Sequence, residues 1–229
     1  MRSSGGRQAS ETGREYAYRA LYDGIMTLRY EPGMILNEAE LGKALEIGRT
    51  PIREAILSLT ESKLVTVYPQ KYSCVSRINL DAVEEGLFLR YHAECGILEE
   101  AAEKAGAEDF HAMRENLAEQ KEALEQNDLD RYMHLDNSFH RLLYLAAGKP
   151  WTWSCVTRIV THHDRLRWLH VHMGAEKLWP GHEEHCEIFN YLMTRSGRPM
   201  KDFLYNHLTA GYRSALPELI REFPDYFDL

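Results

Sequence analysis

Residues 48–56 read GRTPIREAI. Arg49 and Arg53 stand four residues apart on either side of Pro51, at what the pattern predicts to be the start of a helix. The N-terminal end of a helix is partially positive, so arginine there is mildly unfavourable unless negative charge faces it. Thr50 is the expected N-cap and Pro51 the expected first helical residue, where a missing N–H costs nothing. Ile52, Ala55, Ile56 and Leu59 form an inward stripe at helical spacing. Thr50, Arg53, Glu54, Leu57 and Ser58 are left on the outer face.

Upstream, Tyr18, Leu21, Ile25 and Leu28 predict a helix over 14–29, ended by the turn EPG at 31–33. Asn37 is placed to cap a second helix, with Glu40 completing a capping-box pattern and Leu41, Ala44 and Leu45 pointing inward. The tight turn EIGR joins it to the opening stretch. Downstream, LVTVYPQKYSCV alternates as two strands around Gln70 and Lys71, a small wing. Two short helices on a tight turn make a helix-turn-helix, whose second helix enters the DNA major groove N-terminus first. Arg49 and Arg53 would then lead, and phosphates would supply the missing negative charge. The same spacing also suits a two-helix fragment with surface arginines.

The run GIMTLRYEPGMILNEAELGKALEIGRTPIREAILSLTESKLV, residues 24–65, resembles the winged helix-turn-helix of the GntR regulators. The resemblance rests on the PG turn, the LNE start of the second helix and the RTPxREA signature. It implies that Arg49, Thr50 and Arg53 contact DNA, with Lys71 on the wing as a further contact. Gly48 stands where that family usually has serine or threonine.

The chain has 229 residues, 44% of them apolar, and a net charge of -8. The charge is unevenly spread. Residues 1–78 hold 11 Lys+Arg against 9 Asp+Glu, whereas residues 79–229 hold 16 against 26, together with all eleven histidines. The expected organisation is a disordered tail over 1–13, a DNA-binding domain over 14–78 and a second domain over 79–229. No apolar run approaches membrane-spanning length and no secretory h-region is present. Cys74, Cys95, Cys155 and Cys186 are scattered without CxxC spacing, which predicts reduced thiols in a cytoplasmic protein.

From residue 80 the chain reads as consecutive amphipathic helices with no convincing strand. Approximate spans are 81–105, 107–126, 128–147, 150–172, 176–195 and 199–221. AGK at 147–149 and SGRP at 196–199 mark short breaks. The fold class is therefore mainly α: a winged helix-turn-helix followed by an all-α antiparallel bundle.

Several inner stripes carry polar residues. Leu129, Met133, Asp136, His140, Leu143 and Ala147 share one. His185 lies with Ile188 and Leu192, and His207 with Met200, Phe203 and Ala210. Arg90 and Glu94 lie inward as an i,i+4 pair. A buried carboxylate is costly unless paired or bound to metal. An aspartate and three histidines suit a first-row divalent ion, with Zn, Ni and Mn all compatible. An internal Asp136–His140 pair and hydrogen-bonded core histidines fit the same spacing.

This part resembles the FCD effector domain that follows many GntR winged helices. The resemblance runs through Arg90–Glu94, LDNSFH, HEEHCEI and NHL. It implies that Asp136, His140, His185 and His207 hold the metal, that a carboxylate completes its coordination, and that Arg90 lies near that effector. The function so implied is a homodimeric, ligand-responsive repressor on a pseudo-palindromic double-stranded operator, sensing a small organic or sugar acid. Two alternatives stand beside it: a metal-free acyl-CoA-responsive regulator, and a metalloenzyme with Glu94 or His134 as base.

Overall fold

The computed structural model describes residues 6–171, 173–195 and 200–229. The SGRP break at 196–199 lies outside the described residues. Residues 6–12, expected within a disordered tail, hold on to the first helix. Arg19 donates to Glu11 at 2.6 Å, and Arg7 donates to the Glu11 carbonyl. Residues 1–5 lie outside the described residues.

The first domain is built from α1 (Gly13–Met26), α2 (Glu38–Ala44), α3 (Arg49–Glu61), β1 (Val65–Tyr68) and β2 (Tyr72–Val75). Thr12 and Glu15 form a full capping box at α1, which the sequence reading had not placed there. Asn37 does cap α2, accepting from the Ala39 and Glu40 N–H groups. The Glu40 carboxylate takes the Asn37 side-chain amide instead of its backbone N–H, so the box stays half-formed.

At α3 the cap differs from expectation. Gly48 is the N-cap, with no side-chain hydrogen bond, and Arg49 is already the first helical residue. Thr50 and Pro51 follow inside the first turn. Pro51 is still tolerated because the first-turn N–H groups lack intrahelical partners in any helix. The stripe is as expected: Ile52, Ala55, Ile56 and Leu59 are buried against α1. β1 and β2 pair antiparallel, with Tyr68 opposite Tyr72 at the tip.

The second domain is helical. It comprises α4 (Leu80–Lys104), α5 (Ala107–Glu125), α6 (Leu129–Ala146), α7 (Pro150–Ile159), α8 (Thr161–Val171), α9 (Trp179–Thr194) and α10 (Met200–Glu222). The single helix expected over 150–172 is broken at Val160. Gly86 of α4 meets that junction: a Cβ there would lie 3.2 Å from the Val160 Cα, so a side chain would push α4 off the break.

The strand-free expectation for this part also needs correction. β3 (Ile78–Asn79), in the linker, pairs in parallel with β4 (Phe227–Asp228). Leu28 and Ile78 join the bundle's apolar core, which ties the two domains together. Among the described residues no helix is long and apolar enough to cross a membrane.

Candidate functional site

His140 on α6, His185 on α9 and His207 on α10 converge in the bundle. Their ligand nitrogens lie within 4.8 Å of one another. The Nε2 atoms of His185 and His207 are each 3.3 Å from the Nε2 of His140. Each ring is held from behind through Nδ1. His140 meets Glu94 at 2.9 Å, His185 meets the Gln120 Oε1 at 2.9 Å, and His207 meets Glu184 at 2.7 Å. An acceptor on Nδ1 places the proton there and leaves Nε2 as a lone pair.

Burial keeps two of the rings neutral. It pulls His140 down to about 4, despite Glu94 beside it, and holds His185 well below the usual histidine range. With their Nδ1 atoms turned to those acceptors, the neutral His140 and His185 rings direct Nε2 toward one point beside the His207 Nε2, an arrangement suited to a cation. Nitrogens about 2.0–2.1 Å from a tetrahedral Zn²⁺ would lie roughly 3.3 Å apart, so the residues present fit a divalent ion.

Asp136 is the fourth expected ligand. Its Oδ1 lies 3.8 Å from the His185 Nε2, while Oδ2 accepts a short hydrogen bond from Arg167. Burial alone would raise this carboxyl; Arg167, and then the histidines, override burial and hold it well below the usual range. Asp136 is thus shared between the histidine cluster and α8.

The outer supports were largely missed from sequence. Gln120 is fully buried and is oriented by its own donation to Asn116 at 2.7 Å. Asn116 in turn donates to the Leu135 carbonyl. The signal was present: Asn116 and Gln120 are a polar i,i+4 pair on a stripe with Met113 and Leu117. Such second-layer contacts set ring orientation and ligand basicity.

A cavity of about 140 Å³ opens beside the cluster, lined among others by Arg90, Asp136, His163, Arg167 and Tyr212. Arg90 is buried, as expected, and donates to Glu94 at 2.7 Å. Its Nη2 has no hydrogen-bond partner among the described residues. His163, on the cavity wall and fully buried, makes no hydrogen bond through either ring nitrogen among the described residues, and its Nδ1 lies 3.8 Å from the Asp164 carboxylate. Adjacent residues of a helix point to different faces, and His162 accordingly meets the linker at Asn79 while His163 lines the cavity. Trp151, at the start of α7, is 82% exposed and lies outside the cavity lining. His134 is exposed against Trp168, and Glu94 is committed to Arg90 and His140.

On the first domain, Arg49, Thr50 and Arg53 are exposed along the start of α3, and Lys71 is exposed at the wing tip. Arg49 is not free: its Nε donates to Glu38, in the first turn of α2, at 2.7 Å. Negative charge does face the arginine at the helix start, supplied by the protein itself.

The profile of the bacterial regulatory proteins of the gntR family matches residues 14–75, and that of the FCD domain matches residues 85–210. The chain belongs to the GntR family, with an FCD domain. It is 30% identical over 192 residues to the HTH-type transcriptional repressor RspR of Escherichia coli, covering 83% of each chain. To an uncharacterized HTH-type regulator of Streptomyces ambofaciens it is 31% identical over 217 residues, 91% of this chain and 89% of the other. Among solved structures, E. coli McbR/YncC superposes with a TM-score of 0.76 at 18% identity, over 93% of this chain and 99% of that one. This GntR-family chain is a DNA-binding transcriptional regulator and not an enzyme.

Proposed function

We propose that the chain is a homodimeric, ligand-responsive repressor that senses a small organic or sugar acid at a divalent metal. The observation that carries this reading is the convergence of three Nε2 lone pairs, each fixed by an acceptor behind its ring. His140, His185 and His207 would hold the ion, with Asp136 as the fourth ligand. Zn is favoured by the ligand set, and Ni or Mn also fit it. The bound ion supplies positive charge and coordination positions for an anion. Arg90 and His163 supply the remaining recognition. Both side chains line the cavity, and among the described residues the Arg90 Nη2 and the His163 ring nitrogens make no hydrogen bond, a cost that a ligand would relieve.

On the DNA side, Arg53 and Thr50 would read the major groove, and Arg49 and Lys71 would meet the backbone. Pairing of two copies would place the recognition helices about one turn apart on a pseudo-palindromic site. The exposed Phe88, Trp151 and Ile159 on α4 and α7 are apolar surface suited to that pairing. Repression is favoured by the likeness to the E. coli repressor. The reading places the protein in the cytoplasm with its operator. The acyl-CoA alternative draws no support from a cavity of about 140 Å³ walled by Arg90, His163, Arg167 and Lys177.

Metal analysis of the purified protein tests the proposal. One divalent ion per chain, lost in His140→Ala, is expected; substoichiometric metal unaffected by that substitution would overturn it. A thermal-shift screen of organic and sugar acids on metal-loaded protein then identifies the ligand class, because binding to the folded form raises the melting point.

A further inference from the structure

α8 is buried almost all round. Of its residues only Arg167 is more than marginally exposed. Residues i and i+4 of a helix share a face, and a step of two turns to the far side. His163 and Arg167 make one face, and it lines the cavity. Thr161 and Arg165 make the opposite face, and it touches the DNA-binding domain. Thr161 donates its hydroxyl to the carbonyl of Ser62, the C-cap of α3, at 3.1 Å. Arg165 donates to the Ser76 carbonyl at 2.6 Å and to the Arg77 carbonyl at 3.4 Å, in the linker after the wing. His162 accepts the Asn79 N–H at 3.1 Å. Ser76 itself donates to the Leu64 carbonyl, so the linker and the end of α3 form one hydrogen-bonded seat.

Arg165 is the unusual member. It is fully buried, and among the described residues its guanidinium meets carbonyls and the His162 ring but no carboxylate. A buried cation without an anion is expensive, and apolar packing alone would be served better by leucine or methionine. At the cavity face, Arg167 is tied to Asp136, which also lies beside the histidine cluster. One carboxylate is therefore contested by the sensing site and by α8.

We propose that α8 is the coupling helix of the switch. Asp136 and Arg167 pass the state of the sensing site into it, and Thr161 and Arg165 are the positioning residues that pass it on to the C-terminal end of the recognition helix and to the linker. This rests on the cavity being the sensing site. A shift of α8 changes the angle at which α3 is presented, which is the differential contact that a ligand needs in order to favour one state. The path is a contiguous set of hydrogen bonds and one ion pair, and its members can be removed singly.

The test is amide hydrogen exchange on the full chain, with and without zinc chloride, in the wild type and in Thr161→Val and Arg165→Met. Zinc is expected to change exchange in the bundle around His140, His185 and His207. It is also expected to change exchange by about threefold or more at the amides of Lys63, Leu64, Ser76 and Asn79. Thr161→Val keeps the shape and removes one hydroxyl. It should retain zinc and the response of the bundle but lose the response at Lys63 and Leu64. Arg165→Met should do the same at Ser76 and Asn79.

A wild-type response confined to the bundle overturns the coupling role and leaves the metal site standing. A variant that is less stable yet keeps the full distant response also overturns it, by assigning the residue to packing alone. Failure of the wild type to bind zinc removes the sensing site and the coupling role with it.

Discussion

The arginines of the two domains make opposite use of the same side chain. Arg49 and Arg53 lie exposed on α3, and Arg49 pairs with a carboxylate near the surface, Glu38. Arg90, Arg165 and Arg167 are buried or nearly so: Arg90 is held by Glu94, Arg165 by linker carbonyls and Arg167 by Asp136. An exposed cation keeps its charge for an external phosphate, and screening limits its worth to the fold. A buried one is spent inside, and its removal strands whatever it neutralised. The first domain is a reading surface whose charges stand apart; the second is a network in which removing one charge strands another.

Several substitutions break or sharpen that contrast. Glu94→Leu strikes the network hardest, because Glu94 is fully buried between Arg90 and His140. Loss of about 3–5 kcal/mol is expected in denaturant unfolding. Acid is the next test. The folded-state values of His140 and His162 are each pulled down to about 4, chiefly by burial. The unfolded chain therefore takes up protons first, near an ordinary histidine pKa of about 6.5. Stability of chelator-treated protein should fall as pH drops from about 6.5 toward about 4, read as a falling melting temperature. A flat profile would mean that these rings titrate in the fold as they do in the unfolded chain.

Gln120→Leu leaves the charges alone and removes the acceptor behind His185, together with the donor to Asn116. Metal affinity should weaken about 10- to 100-fold in a competition titration, with little change in helix content. On the reading surface, Arg53→Ala should cost about 1–3 kcal/mol of operator affinity at fixed salt while leaving the melting temperature alone. The smallest effect is expected at the cap of α3. Gly48 has ordinary backbone angles and room for a Cβ, which would sit 3.7 Å from Pro51. Gly48→Ser should add a few tenths of a kcal/mol by giving the first turn a hydroxyl acceptor.

The same contrast explains what was legible beforehand. The reading surface is local in sequence, so the turn, the stripe and the exposed arginines of 48–56 are visible within nine residues. Asp136 and His140 were visible as polar residues on an apolar stripe, and His185 and His207 likewise. Their supports were not, because the partner of each ring comes from another helix: Glu94 for His140, Gln120 for His185, Glu184 for His207. The turn at Val160 was hidden because nothing in WTWSCVTRIVTHHD breaks a helix by composition; the close approach of Gly86 is a tertiary fact. With that break unseen, the two faces of α8 could not be assigned, and His163 was passed over.

The two-sided burial of α8 has an evolutionary consequence. A regulator acquires a new ligand by changing the residues that line its cavity, and most helices can do so while drifting freely on their outer face. α8 has no outer face. A substitution that retunes recognition at His163 or Arg167 shifts the backbone that also seats Thr161 and Arg165 against the reading domain. Changes on the cavity face of α8 are therefore expected to be felt on its opposite face, eleven residues in all answering to both.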